Sequence, residues 1–267
     1  MVQPSPRRLL LAVAFALPAF GPTIFALTIF ASVPLHAAEV KVAVAANFTG
    51  AAKVIGRRFH QATGHTAIFS FGSTGQLFTQ ISQGAPFEVF LAADRKRPEK
   101  AETDGYAVPG SRFTYATGRI VLYSADPGLV TGPETLKSYR FTRIAIANPV
   151  TAPYGAAAIA AMRALGVHGA LQGRIVRGTN IAQTFQFVMT GNAEIGFVAL
   201  SQVAGLDQGS RWLVPEKLYP PIAQDAVLLK RGAANPAATA FLAFLKGDTA
   251  RSVKETFGYG PGTRGGA

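Results

Sequence analysis

Val40-Lys41-Val42-Ala43-Val44-Ala45-Ala46-Asn47-Phe48-Thr49 is the stretch whose reading decides the fold. Val40, Val42 and Val44 fall on one face of an extended segment, and Ala43 and Ala45 on the other. Both faces are apolar, as in a parallel sheet covered by helices on each side. A turn at Ala46-Asn47-Phe48 then leads into a helix over about residues 49–63. Ala51, Ile55, Phe59 and Ala62 recur there at helical spacing, and Gly64 is a natural stop. The unit returns twice. Residues 65–71 read as a strand, Gly72-Ser73-Thr74-Gly75 as a turn, and a helix runs to near Gly84. Residues 87–92 read as a third strand, Asp94 can cap the helix that follows, and Gly105 stops it. Strand–helix three times in about 65 residues predicts a doubly wound α/β sheet.

The rest of the chain repeats the style. Strands are expected at 119–124, 143–147, 175–176, 195–200 and 223–229. Helices are expected at 155–165, at 181–190 and from Pro236, where Ala237, Ala240, Phe241 and Phe244 form an apolar stripe. A last helix is expected at 248–257, before a Gly-rich tail. Two α/β units in one chain imply two lobes. Ligands of such sheets bind beyond the C-terminal strand ends, so the site is expected in the cleft between the lobes.

The first 38 residues read differently. Arg7 and Arg8 precede an apolar stretch from Leu9 to Leu35, and Leu35-His36-Ala37-Ala38 supplies small residues for cleavage. This is the layout of an export signal, cut after Ala37 or Ala38. The alternative is an uncleaved anchor, because the stretch is long enough to span a bilayer. Pro18 and Pro22 interrupt it and weigh for the signal. The chain has 267 residues, 49% of them hydrophobic, and no cysteine, which excludes disulfides and thiol chemistry. Its formal charge is +12; without Arg7 and Arg8, 24 basic residues face 14 acidic ones, a net +10. The basic residues are dispersed, which argues against a nucleic-acid surface, while the field they set up would attract a small anion.

Enzyme motifs are absent: no phosphate-binding P-loop, no Gly-x-Ser-x-Gly, and no histidine paired with Glu or His at metal-ligand spacing. Four polar strand-to-helix turns remain, at residues 46–49, 72–75, 153–155 and 179–181. Each puts unpaired backbone N–H groups at a helix start, where the macrodipole favours negative charge. Asn47, Ser73 and Thr74 add side-chain donors. For any one such turn an ordinary helix cap is the favoured reading; four of them, two in each expected lobe, point to an anion site without Arg or Lys.

These residues also carry a resemblance. Residues 42–49, 70–76 (Ser-Phe-Gly-Ser-Thr-Gly-Gln), 84–94 and 191–199 are similar to the periplasmic molybdate-binding proteins of ATP-driven importers. That family has the two-lobed type II periplasmic-binding-protein fold, and the likeness runs from about Val40 to Tyr259. It implies an oxyanion held by hydroxyl, amide and backbone N–H donors. The family's first contact falls on Asn47. The second falls on Ser73 or Thr74, with spacing preferring Thr74. A third, largely backbone, falls on Tyr154, and a backbone N–H at a helix start falls on Ile181. Some members add a tyrosine hydroxyl at a position that is Ala199 here; Tyr154 is the candidate replacement.

The resulting expectation is a monomeric, exported binder of molybdate or tungstate that hands the ion to a membrane permease. It implies no enzyme activity, no cofactor, no cation site and no nucleic-acid partner. Lobe 1 is expected to comprise residues 39–117 and 226–267, and lobe 2 residues 118–225, with a hinge near 117 and 225. The rival readings are a binder of sulfate or another small oxyanion, an exported enzyme on the same fold, and an envelope- or nucleic-acid-binding protein driven by charge.

Overall fold

The computed structural model describes residues 1–2 and 37–262. All of the expected export signal but its first and last two residues lies outside them. The first part of the chain runs β1 (Glu39–Ala45), a 3-10 turn (Ala46–Phe48), α1 (Thr49–Thr63), β2 (Thr66–Gly72), α2 (Thr74–Ser82), β3 (Val89–Leu91), α3 (Lys96–Thr103) and β4 (Phe113–Gly118). The middle part follows as β5 (Ile120–Ser124), α4 (Thr135–Ser138), β6 (Ile144–Ala147), α5 (Pro153–Ala164), α6 (His168–Leu171), β7 (Ile175–Gly178), α7 (Ile181–Met189), β8 (Ile195–Ala199), α8 (Leu200–Val203) and β9 (Ser210–Leu213). The chain then returns through β10 (Ile222–Leu228) to α9 (Pro236–Lys246) and α10 (Asp248–Thr256).

The strands form two five-stranded sheets, ordered β2-β1-β3-β10-β4 and β7-β6-β8-β5-β9. In the first, β1 is parallel to β2 and β3, while β10 runs antiparallel to β3 and β4. In the second, β6 is parallel to β7 and β8, while β5 runs antiparallel to β8 and β9. Each sheet is therefore mostly parallel with one reversed strand, and the two share one pattern.

The alternation in β1 plays out as its residues dictate. Val40, Val42 and Val44 pack with Ile55, Phe59 and Phe241 on one face of the first sheet. Ala43 packs with Leu77, Ile81 and Phe90 on the other. The second sheet is also covered on both faces, by Leu122, Ile144 and Ile146 on one side and Val121, Ala145 and Val198 on the other. α1 ends where Gly64 takes the left-handed conformation at φ 74°, as the glycine predicts. Two strands are longer or newer than the pattern indicated. β4 was expected only as a crossing near residue 117, and β9 has four residues with no clear alternation. Only Arg119 separates β4 in the first sheet from β5 in the second, so the chain changes sheets within a single residue.

Candidate functional site

The C-terminal ends of β1, β2, β6 and β7 deliver the four turns singled out in the sequence. Asn47 sits in the 3-10 turn before α1, and Thr74 is the first residue of α2, with Ser73 as its cap. Pro153 and Tyr154 open α5, and Ile181 opens α7, capped by Asn180. Proline suits that first position, because it has no N–H to leave unpaired. The turns converge. Asn47, Ser73, Thr74, Tyr154 and Ile181 all line one cavity, together with Ala45, Ala46, Gly72, Ala93, Ala152 and Pro153. Each of the five is at most 3% exposed. The cavity is small, about 10 Å³.

Hydrogen counting sorts the five residues. The Thr74 hydroxyl oxygen accepts the Ala93 N–H at 3.0 Å, and its own proton has no acceptor among the described residues. The Tyr154 oxygen accepts from Gln224 Nε2 at 3.1 Å, with Asn47 Nδ2 farther off at 3.3 Å, and its proton likewise has no acceptor among the described residues. Ser73 differs. Its hydroxyl donates to Gln76 Oε1 at 2.8 Å and accepts the Gln76 N–H, so it is occupied as a helix cap. The Asn47 amide also turns inward, donating to Gln224 Oε1 at 2.8 Å and Tyr259 OH at 3.1 Å. Thr74, Tyr154 and Ile181 stand in the first turns of their helices, so their backbone N–H groups have no intrahelical acceptor.

Among the described residues, no acidic or basic one lines the cavity. Glu88 accepts from Lys41 N and Asn235 Nδ2, away from it, and Asp94 pairs with Arg97. Ala199 is buried at the end of β8 and is not among the lining residues. Burial, and then the neighbouring Tyr259 and Tyr115, push the Tyr154 phenol well above its ordinary pKa, so it stays protonated and able to donate. Among the described residues there is no cluster of three or more His, Cys, Asp or Glu able to hold a metal cation. A larger cavity of about 720 Å³ lies elsewhere, among Phe113, Lys246, Arg251 and Lys254, at none of the strand-to-helix turns. Sequence reasoning missed Gln224, Tyr259 and Tyr115, which surround the Asn47 and Tyr154 side chains.

A cavity between two matching α/β sheets, lined by helix starts and hydroxyl donors, defines a solute-binding protein of the two-lobed type II kind. The chain belongs to the bacterial extracellular solute-binding protein family, whose model matches residues 40–260. It is similar to the molybdate-binding protein ModA of Rhodobacter capsulatus, at 53% identity over 239 residues, covering 90% of this chain and 95% of that one. It is similar also to the molybdate-binding protein ModA of Azotobacter vinelandii, at 55% identity over 229 residues, covering 84% and 91%. The solved periplasmic molybdate-binding protein of Azotobacter vinelandii superposes with a TM-score of 0.80 at 41% identity, covering 83% of this chain and 98% of that one.

Proposed function

We propose that this protein captures molybdate, or its near-isostere tungstate, outside the cytoplasm and delivers it to the membrane permease of an ATP-driven importer. One observation carries the reading. Two uncommitted hydroxyl protons, from Thr74 after β2 and Tyr154 after β6, share one buried cavity with several helix starts and, among the described residues, with no carboxylate. Such a cavity offers donors and no acceptor anion. A fully ionised tetrahedral oxyanion needs only donors, whereas phosphate near neutral pH carries a proton that wants an acceptor. Asn47, Ser73, Thr74, Tyr154 and Ile181 form the binding set. Thr74 and Tyr154 donate hydroxyl protons, and Tyr154 and Ile181 also donate backbone N–H groups. Asn47 and Ser73 act chiefly by holding these donors in place. Burial of the anion between the lobes strengthens each charge-assisted hydrogen bond. The ligand is cargo; the binding is reversible and no covalent step or cofactor is involved.

The lobes divide close to the expected 39–117 with 226–267 and 118–225, shifted so that Gly118 and the whole of β10 stay with the first sheet. Their hinge lies at the two crossings, which fits the single-residue step at Arg119 and the return through β10. Residues 1–38 direct export, so the mature protein works in the periplasm, as a monomer. Among the described residues, no helix is long and apolar enough to cross a membrane.

Isothermal titration calorimetry on residues 39–267 tests the reading. Tight one-to-one heat with sodium molybdate that excess sulfate does not displace is the expected result. Heat with sulfate and none with molybdate would move the specificity to another oxyanion, and salt-dependent binding to DNA without anion heat would overturn the reading.

A further inference from the structure

We propose that Gln224 is a positioning residue that aims the Tyr154 hydroxyl proton at the bound oxyanion, an inference that rests on the oxyanion reading above. Gln224 lies on β10, the strand that carries the chain back to the first sheet, and it is wholly buried. The pairing of β10 with β4 shifts register between Gln224 and Asp225.

The direction of the hydrogen bonds is set step by step. Tyr259 donates its proton to the Asn47 backbone carbonyl at 2.7 Å, with Ser201 Oγ close by at 3.0 Å, so its oxygen accepts from the Asn47 side-chain Nδ2. That fixes which end of the Asn47 amide faces inward. Asn47 Nδ2 meets Gln224 at 2.8 Å, and this contact holds only if Gln224 presents Oε1 there. The Tyr115 hydroxyl approaches the same oxygen at 3.1 Å. Gln224 Nε2 must then face Tyr154 and donate to it at 3.1 Å. The two Asn47 Nδ2 protons go to Gln224 Oε1 and Tyr259, so the Tyr154 oxygen accepts from Gln224, and its own proton is left to point into the cavity. A Gln224 amide turned the other way would put two N–H groups against each other at Asn47 and draw the Tyr154 proton inward.

Gly118, the last residue of β4, makes the arrangement possible. A Cβ there would stand 2.1 Å from the Tyr154 hydroxyl and 2.6 Å from Gln224 Nε2. The crossing between the sheets is thus shaped around this one contact. Its effect on recognition follows. Tyr154 is held as a donor, which suits an oxygen that is fully ionised and repels one that carries a proton.

The experiment is a double-mutant cycle of Tyr154→Phe and Gln224→Met, read by calorimetry with sodium molybdate and by the side-chain amide signals of Gln224 in 15N–1H spectra. Methionine keeps the volume and removes both donor and acceptor. Gln224→Met is expected to weaken binding about tenfold, the scale of one hydrogen bond to a charged group. Tyr154→Phe should do the same, and the double variant should bind no more weakly than Tyr154→Phe alone. Addition of molybdate should shift the Gln224 side-chain signals in the unmutated protein and leave them unmoved in Tyr154→Phe. Unchanged affinity in Gln224→Met, or losses that simply multiply in the double variant, would overturn the proposal. Should Gln224→Met not fold, the spectra decide alone, and a Gln224 signal that ignores the anion overturns it. An unmutated protein that binds sulfate in place of molybdate overturns the choice of anion only, and the cycle is then run with sulfate; one that binds neither overturns both.

Discussion

Ser73 and Thr74 are neighbours with the same functional group, yet they end in different chemistry. The Ser73 proton is taken by Gln76, whereas the Thr74 oxygen is fed by Ala93 and its proton is free. Thr74→Val is therefore expected to weaken molybdate binding about tenfold with little change in melting, by calorimetry beside thermal denaturation. Ser73→Ala should do the reverse, lowering stability by about 1 kcal/mol through loss of a helix cap, with affinity changed only severalfold. That Asn47, Thr74 and Tyr154 come together at one cavity was legible in the sequence, because each follows a strand and opens a helical turn. The inward turn of the Asn47 amide was not legible. Its partners Tyr154, Gln224 and Tyr259 lie 107, 177 and 212 residues away along the chain, beyond the reach of any local pattern. Lys254 carries a separate prediction. Burial, and then Arg251, lower its pKa from 10.5 to about 8 while it donates to the Tyr115 and Leu245 carbonyls. The unfolded chain binds the extra proton above about pH 8, so stability should rise from there toward about pH 10. Beyond that the buried tyrosines, whose pKa values are raised in the fold, pull stability down again. Thermal melts of Lys254→Met across this range should lack the rise.

Helix starts carry the site, and their placement depends on close packing against strand ends. Gly155, in the first turn of α5, shows how close: a Cβ there would stand 2.0 Å from the Ala147 carbonyl oxygen at the end of β6. Gly155→Ala should push α5 off the strand and move the Tyr154 N–H and hydroxyl together. The expected cost is about 1–3 kcal/mol in chemical denaturation, as for overpacking elsewhere, with molybdate affinity reduced further than Tyr154→Phe alone reduces it. Elements with strong periodicity, such as β1 and α1, could be placed from the sequence to within a residue or so. β9 could not, because Ser210-Arg211-Trp212-Leu213 is short, sits at a sheet edge and gains its place only by pairing with β5. β4 escaped for a related reason: its partner β10 lies more than 100 residues on, and neither strand alone announces the pair.

Across the whole molecule, the two sheets are joined near the cavity by backbone contacts as well as side chains. Gly75 N–H in α2 donates to the Thr151 carbonyl at 2.8 Å. Arg97, paired with Asp94 beside α3, donates to the Val150 carbonyl at 2.8 Å. Both acceptors belong to the turn before α5, so the first sheet's helices grip the loop that presents Tyr154. Arg97→Ala should leave the melting temperature of the anion-free protein nearly unchanged and weaken molybdate binding severalfold, since it removes a partly exposed contact between the first sheet's helices and the turn that presents Tyr154. Calorimetry and small-angle scattering of the anion-loaded variant check this; scattering that indicates a more open average shape is the expected companion. The burial of the cavity sets the clock for the cycle. An ion held among side chains that are at most 3% exposed and come from both sheets should enter and leave only when the halves part. Its residence time is then the waiting time for opening, and the rate at which bound molybdate exchanges should be the same however much competing tungstate is added.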